Sequence, residues 1–213
     1  MTLQLGVLIS GTGTNLGAIL DAIASAKLDA KVRVVISNRP DARGLERAKK
    51  SGIPTLVLDH RAAASREDFD RSLVQSLKAH GAEWIALAGF MRVLTSTFLD
   101  AFPGRVVNIH PSLLPAFRGV DAQKQAHDYG VRVAGCTVHF VIPEVDAGAI
   151  IVQRAVAIGE HESLESLRSR ILVEEHIAFI DALRLISLEQ VQLVQSTDGS
   201  TQVRFLSPSE PGR

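Results

Sequence analysis

Short apolar runs recur through the first half of the chain, and most are followed by apolar residues at helical spacing. The runs cover residues 3–9, 32–36, 54–58, 84–88 and 105–109. Between them, apolar residues three and four positions apart predict a helix capped by Thr14 or Asn15, a second over residues 41–51 and a third from Ser65 to Gly81. Strands that alternate with helices through short connections predict a parallel sheet with helices on both faces.

The pattern changes in the second half of the chain. Residues 135–142 alternate, with Cys136, Val138, Phe140 and Ile142 on one face, and another strand is predicted over residues 149–158. A long helix is expected over residues 163–186, followed by short strands near 190–195 and 202–206. The predicted fold class is therefore α/β: an open, mostly parallel, doubly wound sheet with an antiparallel C-terminal extension. We expect a single domain over residues 1–206 and a frayed tail over 207–213.

Composition narrows the functional classes. Of 213 residues, 46% are apolar and 22% charged, with 23 basic and 23 acidic residues, so no overall positive field favours nucleic acid. Cys136 is the only cysteine, which excludes an intrachain disulfide and a cysteine-rich zinc site. The histidines form no HxxxH or HExxH pair, so no metal is expected. Without a signal peptide or an 18-residue apolar run, the chain is expected in the cytoplasm and not in a membrane.

A glycine loop follows the first predicted strand. Residues 10–15 read SGTGTN, and glycines at a helix N-terminus allow a phosphate to approach free backbone N–H groups. Leu16 replaces the third glycine of the dinucleotide fingerprint, and the second strand ends in Ser37 and Asn38 without an acidic residue for a ribose. The loop therefore favours a monophosphate over NAD or ATP, and a plain tight turn is the alternative.

Two polar residues end the fifth apolar run. Asn108 and His110 alternate with Ile109, so both side chains point to the same side, and Pro111 ends the strand. Ligands of open α/β sheets bind beyond the carboxyl ends of the strands, where the glycine loop also lies. An amide donor can stabilise a developing oxyanion and an imidazole can move a proton near neutral pH. The alternative is a structural pair that caps a loop.

Several segments together carry a family resemblance. ISGTGTN, AGFMRVL, VVNIHPSLLPAF, GCTVHFV and DAGAIIVQ occur in this order. They resemble the folate-dependent phosphoribosylglycinamide formyltransferase family from about residue 3 to residue 195. The resemblance implies a Rossmann-like formyltransferase fold. It also implies transfer of a formyl group from 10-formyltetrahydrofolate, a co-substrate, to the amine of glycinamide ribonucleotide in purine biosynthesis, without a metal.

The resemblance also implies site residues. The catalytic residues would be Asn108, His110 and Asp146, with Asp146 orienting His110 and raising its pKa. The substrate would be bound by Gly13, Thr14, Asn15 and Glu175. The folate would be bound by Arg66, Met91, Arg92, Val93, Leu94 and Asn108. By themselves, Asp146 is also interpretable as a solvated turn residue and Arg66 as a surface ion-pair partner.

The sequence departs from the family pattern at three positions. Arg118 follows Phe117 where the family has Pro, Asp121 stands where His is common, and Ala149 replaces the Pro of the D-x-G-P turn. These departures predict a loop of different shape over residues 116–122.

Three other functions remain open at this stage. A formyltetrahydrofolate hydrolase is expected to carry an N-terminal regulatory domain, and a methionyl-tRNA formyltransferase a C-terminal nucleic-acid domain. We expect neither domain here. The third is a non-catalytic module that binds a sugar phosphate. The expected partners are small molecules, and a monomer or a homodimer fits the sequence equally.

Overall fold

The computed structural model describes residues 1–196 and 200–207. The first half contains β1 (Leu3–Ile9), α1 (Thr14–Ala24), β2 (Ala30–Ser37), α2 (Arg43–Lys50), β3 (Thr55–Val57), α3 (Arg66–Ala79), β4 (Trp84–Leu87), α4 (Ser96–Leu99) and β5 (Val106–His110). The second half contains α5 (Ala122–Tyr129), β6 (Val133–Phe140), β7 (Ile150–Ala157), α6 (Leu164–Ser187), β8 (Val191–Gln195) and β9 (Thr201–Phe205).

The sheet confirms the predicted fold class. Over the described residues, the strands form one seven-stranded sheet in the order β3-β2-β1-β4-β5-β6-β7 and a separate β8–β9 pair. Strands β1 to β5 pair in parallel, whereas β6 and β7 are antiparallel to their neighbours. Strand order reverses at β1, which has β2 on one side and β4 on the other. The carboxyl ends of β1, β4 and β5 therefore meet near a topological switch point, where α/β sheets bind ligands.

Helices cover both faces of the sheet. One core contains apolar side chains from α1, α2 and α6, including Leu16, Leu45 and Phe179. The other contains side chains from α3 and α4, including Leu73 and Phe98. The continuous apolar runs read from the sequence are thus strands buried on both faces.

Helix α1 begins differently from the prediction that Thr14 or Asn15 caps it. Its N-cap is Gly13, which has a left-handed φ of 68° and makes no side-chain cap bond. A Cβ atom on Gly13 would lie 2.5 Å from the Cα atom of Gly44. Glycine therefore occupies this position because the loop packs backbone against backbone on the start of α2.

The structure adds two helices that the sequence pattern does not predict, α4 and α5. It also ends β6 at Phe140, so Ile142, predicted to share the face of Cys136, lies beyond the strand and is exposed. Apart from Ser207, the predicted tail over 207–213 lies outside the described residues.

Residues 1–196 and 200–207 contain neither a membrane-spanning helix nor a cluster of metal-binding side chains. No helix there is long and apolar enough to cross a membrane. No cluster of three or more His, Cys, Asp or Glu side chains there has the arrangement of a metal site.

Candidate active site

Strand β5 delivers His110 to the carboxyl edge of the sheet, where both ring nitrogens meet acceptors. The Nδ1 atom lies 3.2 Å from Oδ2 of Asp146, and the Nε2 atom lies 2.9 Å from the backbone oxygen of Phe117. The imidazole is 5% exposed. A neutral ring has one N–H and satisfies only one of these acceptors, whereas an imidazolium donates to both. The site therefore holds a histidine that can take up and release a proton.

Asp146 reaches this histidine from the turn between β6 and β7. Its backbone has a left-handed φ of 50°, a conformation that Asp adopts more readily than most residues. The Oδ2 atom also accepts a hydrogen bond of 2.8 Å from the backbone N–H of Gly119. The carboxylate is therefore fixed by the 116–122 loop on one side and by His110 on the other, and it is not a solvated turn residue.

Burial and charge act in opposite directions on this pair. Burial is the largest influence on His110 and lowers its pKa below the usual value, while the Phe117 carbonyl and the Asp146 carboxylate oppose the decrease. Asp146 raises the pKa of His110, as predicted, but desolvation exceeds this attraction, so the net shift is downward. Burial alone would raise the pKa of Asp146. Contacts with His139, the Gly119 N–H and His110 instead hold it below the ordinary range.

His139 is the site residue that sequence reasoning missed. It pairs with Asn108 across the antiparallel β5–β6 ladder, and the amide nitrogen of Asn108 lies 3.2 Å from its Nε2 atom. Its Nδ1 atom lies 2.8 Å from the backbone oxygen of Phe140, which only accepts, so Nδ1 carries a hydrogen, and in the neutral ring Nε2 accepts from Asn108. His139 thus sets the orientation of the Asn108 amide. The one sequence signal was its place in an alternating strand.

A cleft of about 570 Å³ opens beside these side chains. Asn108, His110, His139 and Asp146 lie along it, and its apolar wall contains Phe90, Met91, Val93, Leu94, Val120, Ile142 and Val145. The predicted folate segment therefore lines the same cleft as the predicted catalytic residues. Arg92 also lines it, and its buried Nε atom has no hydrogen-bond partner within the described part of the chain. Such an orphaned donor fits an acceptor on a bound ligand.

Arg66 is not among the residues lining the cleft, but it contacts the segment that does. Its guanidinium donates a hydrogen bond of 3.0 Å to the backbone oxygen of Val93. The side chain is tied to the cleft segment by this bond.

The predicted substrate residues form a second group at the glycine loop. The Asn15 amide donates a hydrogen bond of 2.9 Å to Oε2 of Glu175, and both side chains are buried. Burial raises the pKa of Glu175, and the hydrogen bond from Asn15 opposes the increase. Within the described residues, the Oδ1 atom of Asn15 has no partner. Gly13, Thr14, Asn15 and Glu175 are not among the residues lining the cleft.

The three departures from the family pattern are accommodated locally. Arg118 pairs with Glu144 at 2.6 Å, and Asp121 lies 3.4 Å from Arg168. Phe117, Asp121 and Gly119 all have positive φ, so the loop is tightly curled. Ala149 is buried. The loop nonetheless places the Phe117 carbonyl on His110 and the Gly119 N–H on Asp146.

Cys136 and His176 lie outside the cleft of the candidate active site. Burial raises the pKa of Cys136 to about 12, which confirms it as a core residue and not a nucleophile. His176 shares a turn of α6 with Glu174 and Glu175, but it forms no ion pair within the described residues. It is half-buried, its pKa is lowered mainly by burial, and its Nε2 atom has no partner within the described residues.

Known proteins are similar to this chain in sequence. A family model described as formyl transferase matches residues 3–183. The chain is 49% identical over 192 residues to the trifunctional purine biosynthetic protein adenosine-3 of Chironomus tentans, which covers 89% of this chain and 14% of that protein. It is 40% identical over 173 residues to the phosphoribosylglycinamide formyltransferase of Bacillus subtilis strain 168, which covers 81% of this chain and 89% of that protein.

A solved structure shares the fold. The crystal structure of glycinamide ribonucleotide transformylase 1 from Symbiobacterium toebii matches with a TM-score of 0.91 at 49% sequence identity, and the match covers 97% of this chain and 95% of that one. This chain therefore spans a small part of the trifunctional protein and nearly the whole of the other two.

Proposed function

The chain belongs to the formyl transferase family, and we propose that it transfers a formyl group from 10-formyltetrahydrofolate to the amine of glycinamide ribonucleotide in purine biosynthesis. One observation carries the proposal: Asn108, His110 and Asp146 lie together on a partly apolar cleft of about 570 Å³. An apolar wall suits a pterin ring, and the polar residues suit acyl transfer.

Asn108 stabilises the oxygen that becomes negative. As the neutral amine adds to the formyl carbon, the carbonyl oxygen gains charge. One hydrogen of the Asn108 amide is engaged by His139, and the second is free to donate to this oxygen. Because His139 fixes the amide, the donor is oriented before the substrate arrives.

His110 moves the proton. A bond forms between the amine nitrogen and the formyl carbon, and the bond between that carbon and N10 of the folate breaks. The proton lost by the amine is taken up at Nε2 and delivered to N10. Asp146 accepts the Nδ1 hydrogen, so the proton is taken up at Nε2, where the Phe117 carbonyl oxygen, 2.9 Å away, accepts its hydrogen bond until it is delivered to N10.

Each of the two groups of binding residues binds a different substrate. Arg66, Met91, Arg92, Val93 and Leu94, with Asn108, bind the folate. Gly13, Thr14 and Asn15 bind the phosphate of the ribonucleotide, and Glu175 contacts the same substrate. The unpartnered Arg92 Nε and Asn15 Oδ1 atoms support both assignments, because ligand groups would satisfy them.

A spectroscopic folate assay with and without glycinamide ribonucleotide tests the function. Turnover that depends on the ribonucleotide is expected. Turnover in water alone would identify a formyltetrahydrofolate hydrolase, and binding of a sugar phosphate without turnover would identify a non-catalytic module.

A further inference from the structure

Ser10 lies between the two groups of binding residues. It directly follows β1 and precedes the glycine loop, and it is 5% exposed. Its backbone N–H donates a hydrogen bond of 3.0 Å to the backbone oxygen of Gly89, and its Oγ atom accepts one of 2.8 Å from the N–H of Met91. Both bonds attach the start of the glycine loop to the segment that lines the cleft.

The hydroxyl of Ser10 is held in one orientation. A hydroxyl has a single hydrogen, and Ser10 donates it to Oδ1 of Asn38 at 2.6 Å. The lone pairs of Oγ are therefore directed to the Met91 N–H. Asn38 is 4% exposed, and its Nδ2 atom faces Nδ1 of His60 at 3.3 Å. The contact between Ser10 and Met91 is thus part of a partly buried chain of hydrogen bonds that runs from Met91 through Ser10 and Asn38 to His60.

The glycine loop beyond Ser10 is braced against α2. The backbone oxygen of Gly11 accepts a hydrogen bond of 3.1 Å from the N–H of Gly44, and Nε of Arg47 donates one of 3.3 Å to the backbone oxygen of Thr12. A group bound on this loop cannot adjust the backbone freely toward α2. A displacement of the loop backbone therefore also displaces Ser10, which directly precedes the loop.

On the cleft side, the backbone turns at Gly89, which has a φ of 78°. Met91, two residues after this turn, is fixed by the hydrogen bond that its N–H donates to Ser10 Oγ, and residues 92–94 follow it along the wall of the cleft. A shift of the Ser10 hydroxyl therefore moves the wall against which the folate is proposed to bind.

We propose that Ser10 is a positioning residue that couples the two subsites, so that a phosphate bound on the glycine loop changes the affinity of the cleft for a folate. The inference rests on the proposed function for the identity of the two ligands. Reciprocity requires that the folate change the affinity for the phosphate ligand by the same factor. Ser10 contacts neither ligand in this scheme and acts through the backbone of Met91.

Calorimetry with a truncated ligand separates this route from direct contact between substrates. Ribose 5-phosphate carries the phosphate but lacks the glycinamide arm, so its effect on the folate must pass through the protein. Tetrahydrofolate affinity is measured with and without saturating ribose 5-phosphate. In the wild-type protein we expect a change of about fivefold or more, the usual lower range of coupling. In Ser10→Ala both ligands still bind, and the factor falls toward one.

Ser37→Ala is the matched control. Ser37 is fully buried at the end of the neighbouring strand, and its hydroxyl hydrogen-bonds only to the backbone of Arg39 in the described structure, so loss of the hydroxyl should leave the coupling factor intact. Asn38→Asp retains the acceptor for the Ser10 hydroxyl and should preserve coupling. Asn38→Ala removes that acceptor and should reduce it, which keeps the test valid if Ser10→Ala does not fold.

The outcomes separate the two proposals. If the wild-type protein fails to bind ribose 5-phosphate or tetrahydrofolate, the proposed substrates are wrong and the coupling with them. If it binds both with a factor of one, or if Ser10→Ala and Asn38→Ala keep the wild-type factor, the role of Ser10 alone is overturned.

Discussion

The Oδ2 atom of Asp146 lies 3.2 Å from Nδ1 of His110 and 2.8 Å from the backbone nitrogen of Gly119. One carboxylate oxygen thus joins the end of a parallel strand, the turn between two antiparallel strands and the 116–122 loop. The position of the imidazole depends on all three elements, and this dependence leads to the first prediction.

Replacing Asp146 with Asn should lower kcat by at least about tenfold, because the ring loses the acceptor that selects its tautomer. The negative charge of Asp146 favours the protonated imidazole, so its removal lowers the pKa of His110 further. The acid limb of the pH–rate profile should therefore move to lower pH. Glu144→Gln is the matched control, since it removes an exposed carboxylate lining the same cleft. An unchanged rate and profile in Asp146→Asn would remove Asp146 from catalysis.

Replacing Asn108 with Ala should lower kcat by roughly 100- to 1,000-fold with little change in KM, as expected for a lost oxyanion donor. His139→Asn provides a comparison, because it disturbs the orientation of the Asn108 amide without removing it and should cause a smaller decrease. Steady-state kinetics measure both, and thermal unfolding checks that the variants are folded. A decrease confined to KM would contradict the proposed role of Asn108.

Replacing Glu175 with Gln should increase the unfolding free energy relative to that of the wild-type protein as pH rises. The pKa of Glu175 is raised in the folded state. Ionisation of the buried carboxylate therefore lowers the unfolding free energy of the wild-type protein once the pH rises above the pKa of the unfolded state. The difference in unfolding free energy between variant and wild type should increase with pH by about 1.4 kcal/mol per unit of pKa shift. Urea unfolding at pH 4 and pH 8 measures it.

Glu174→Gln provides the control for that experiment. Glu174 is half-buried and forms an ion pair with Arg154, so its replacement should show no such gain at high pH. A pH-independent difference for Glu175→Gln would mean that Glu175 is not buried as described. The ribonucleotide KM of Glu175→Gln should also increase if the residue contacts the substrate.

Replacing Arg66 with Ala should raise the folate KM by roughly tenfold, the effect of losing a charged hydrogen bond, and leave the ribonucleotide KM unchanged. Arg71→Ala is matched, because Arg71 is an exposed arginine of the same helix that pairs with Asp68. Equal effects from the two variants would show that Arg66 has no specific contact with the folate.

Some elements could be predicted because buried strands consist mainly of apolar residues. Strands β1, β2, β4 and β5 are mostly buried and read as short, mainly apolar runs. Helix α3 carries its own start signal, because the Ser65 side chain accepts a hydrogen bond from the Asp68 N–H. Helix α5 could not be found in this way, since its buried residues are two alanines, Ala122 and Ala126, and two alanines give no hydrophobic periodicity.

The candidate site was only partly visible before folding. The spacing of Asn108 and His110 placed both on one side of a strand end. Asp146 was nominated by family resemblance, because a turn aspartate alone is more often solvated. Sequence alternation indicates only that His139 lies in a strand, and the structure adds its hydrogen bonds to Asn108 and Phe140. That it also touches the candidate site follows from the register of β5 against β6, which the sequence pattern does not fix.

The sequence by itself determined the α/β class, the approximate positions of the buried parallel strands and the family motifs, because these depend on local alternation and on residue identity. Tertiary structure alone decided that burial outweighs Asp146 in setting the pKa of His110, that Asn15 pairs with Glu175, and that Ser10 joins the loop to the cleft. Each of these depends on distances between segments far apart in the chain, and desolvation and hydrogen bonding exist only once those segments are packed.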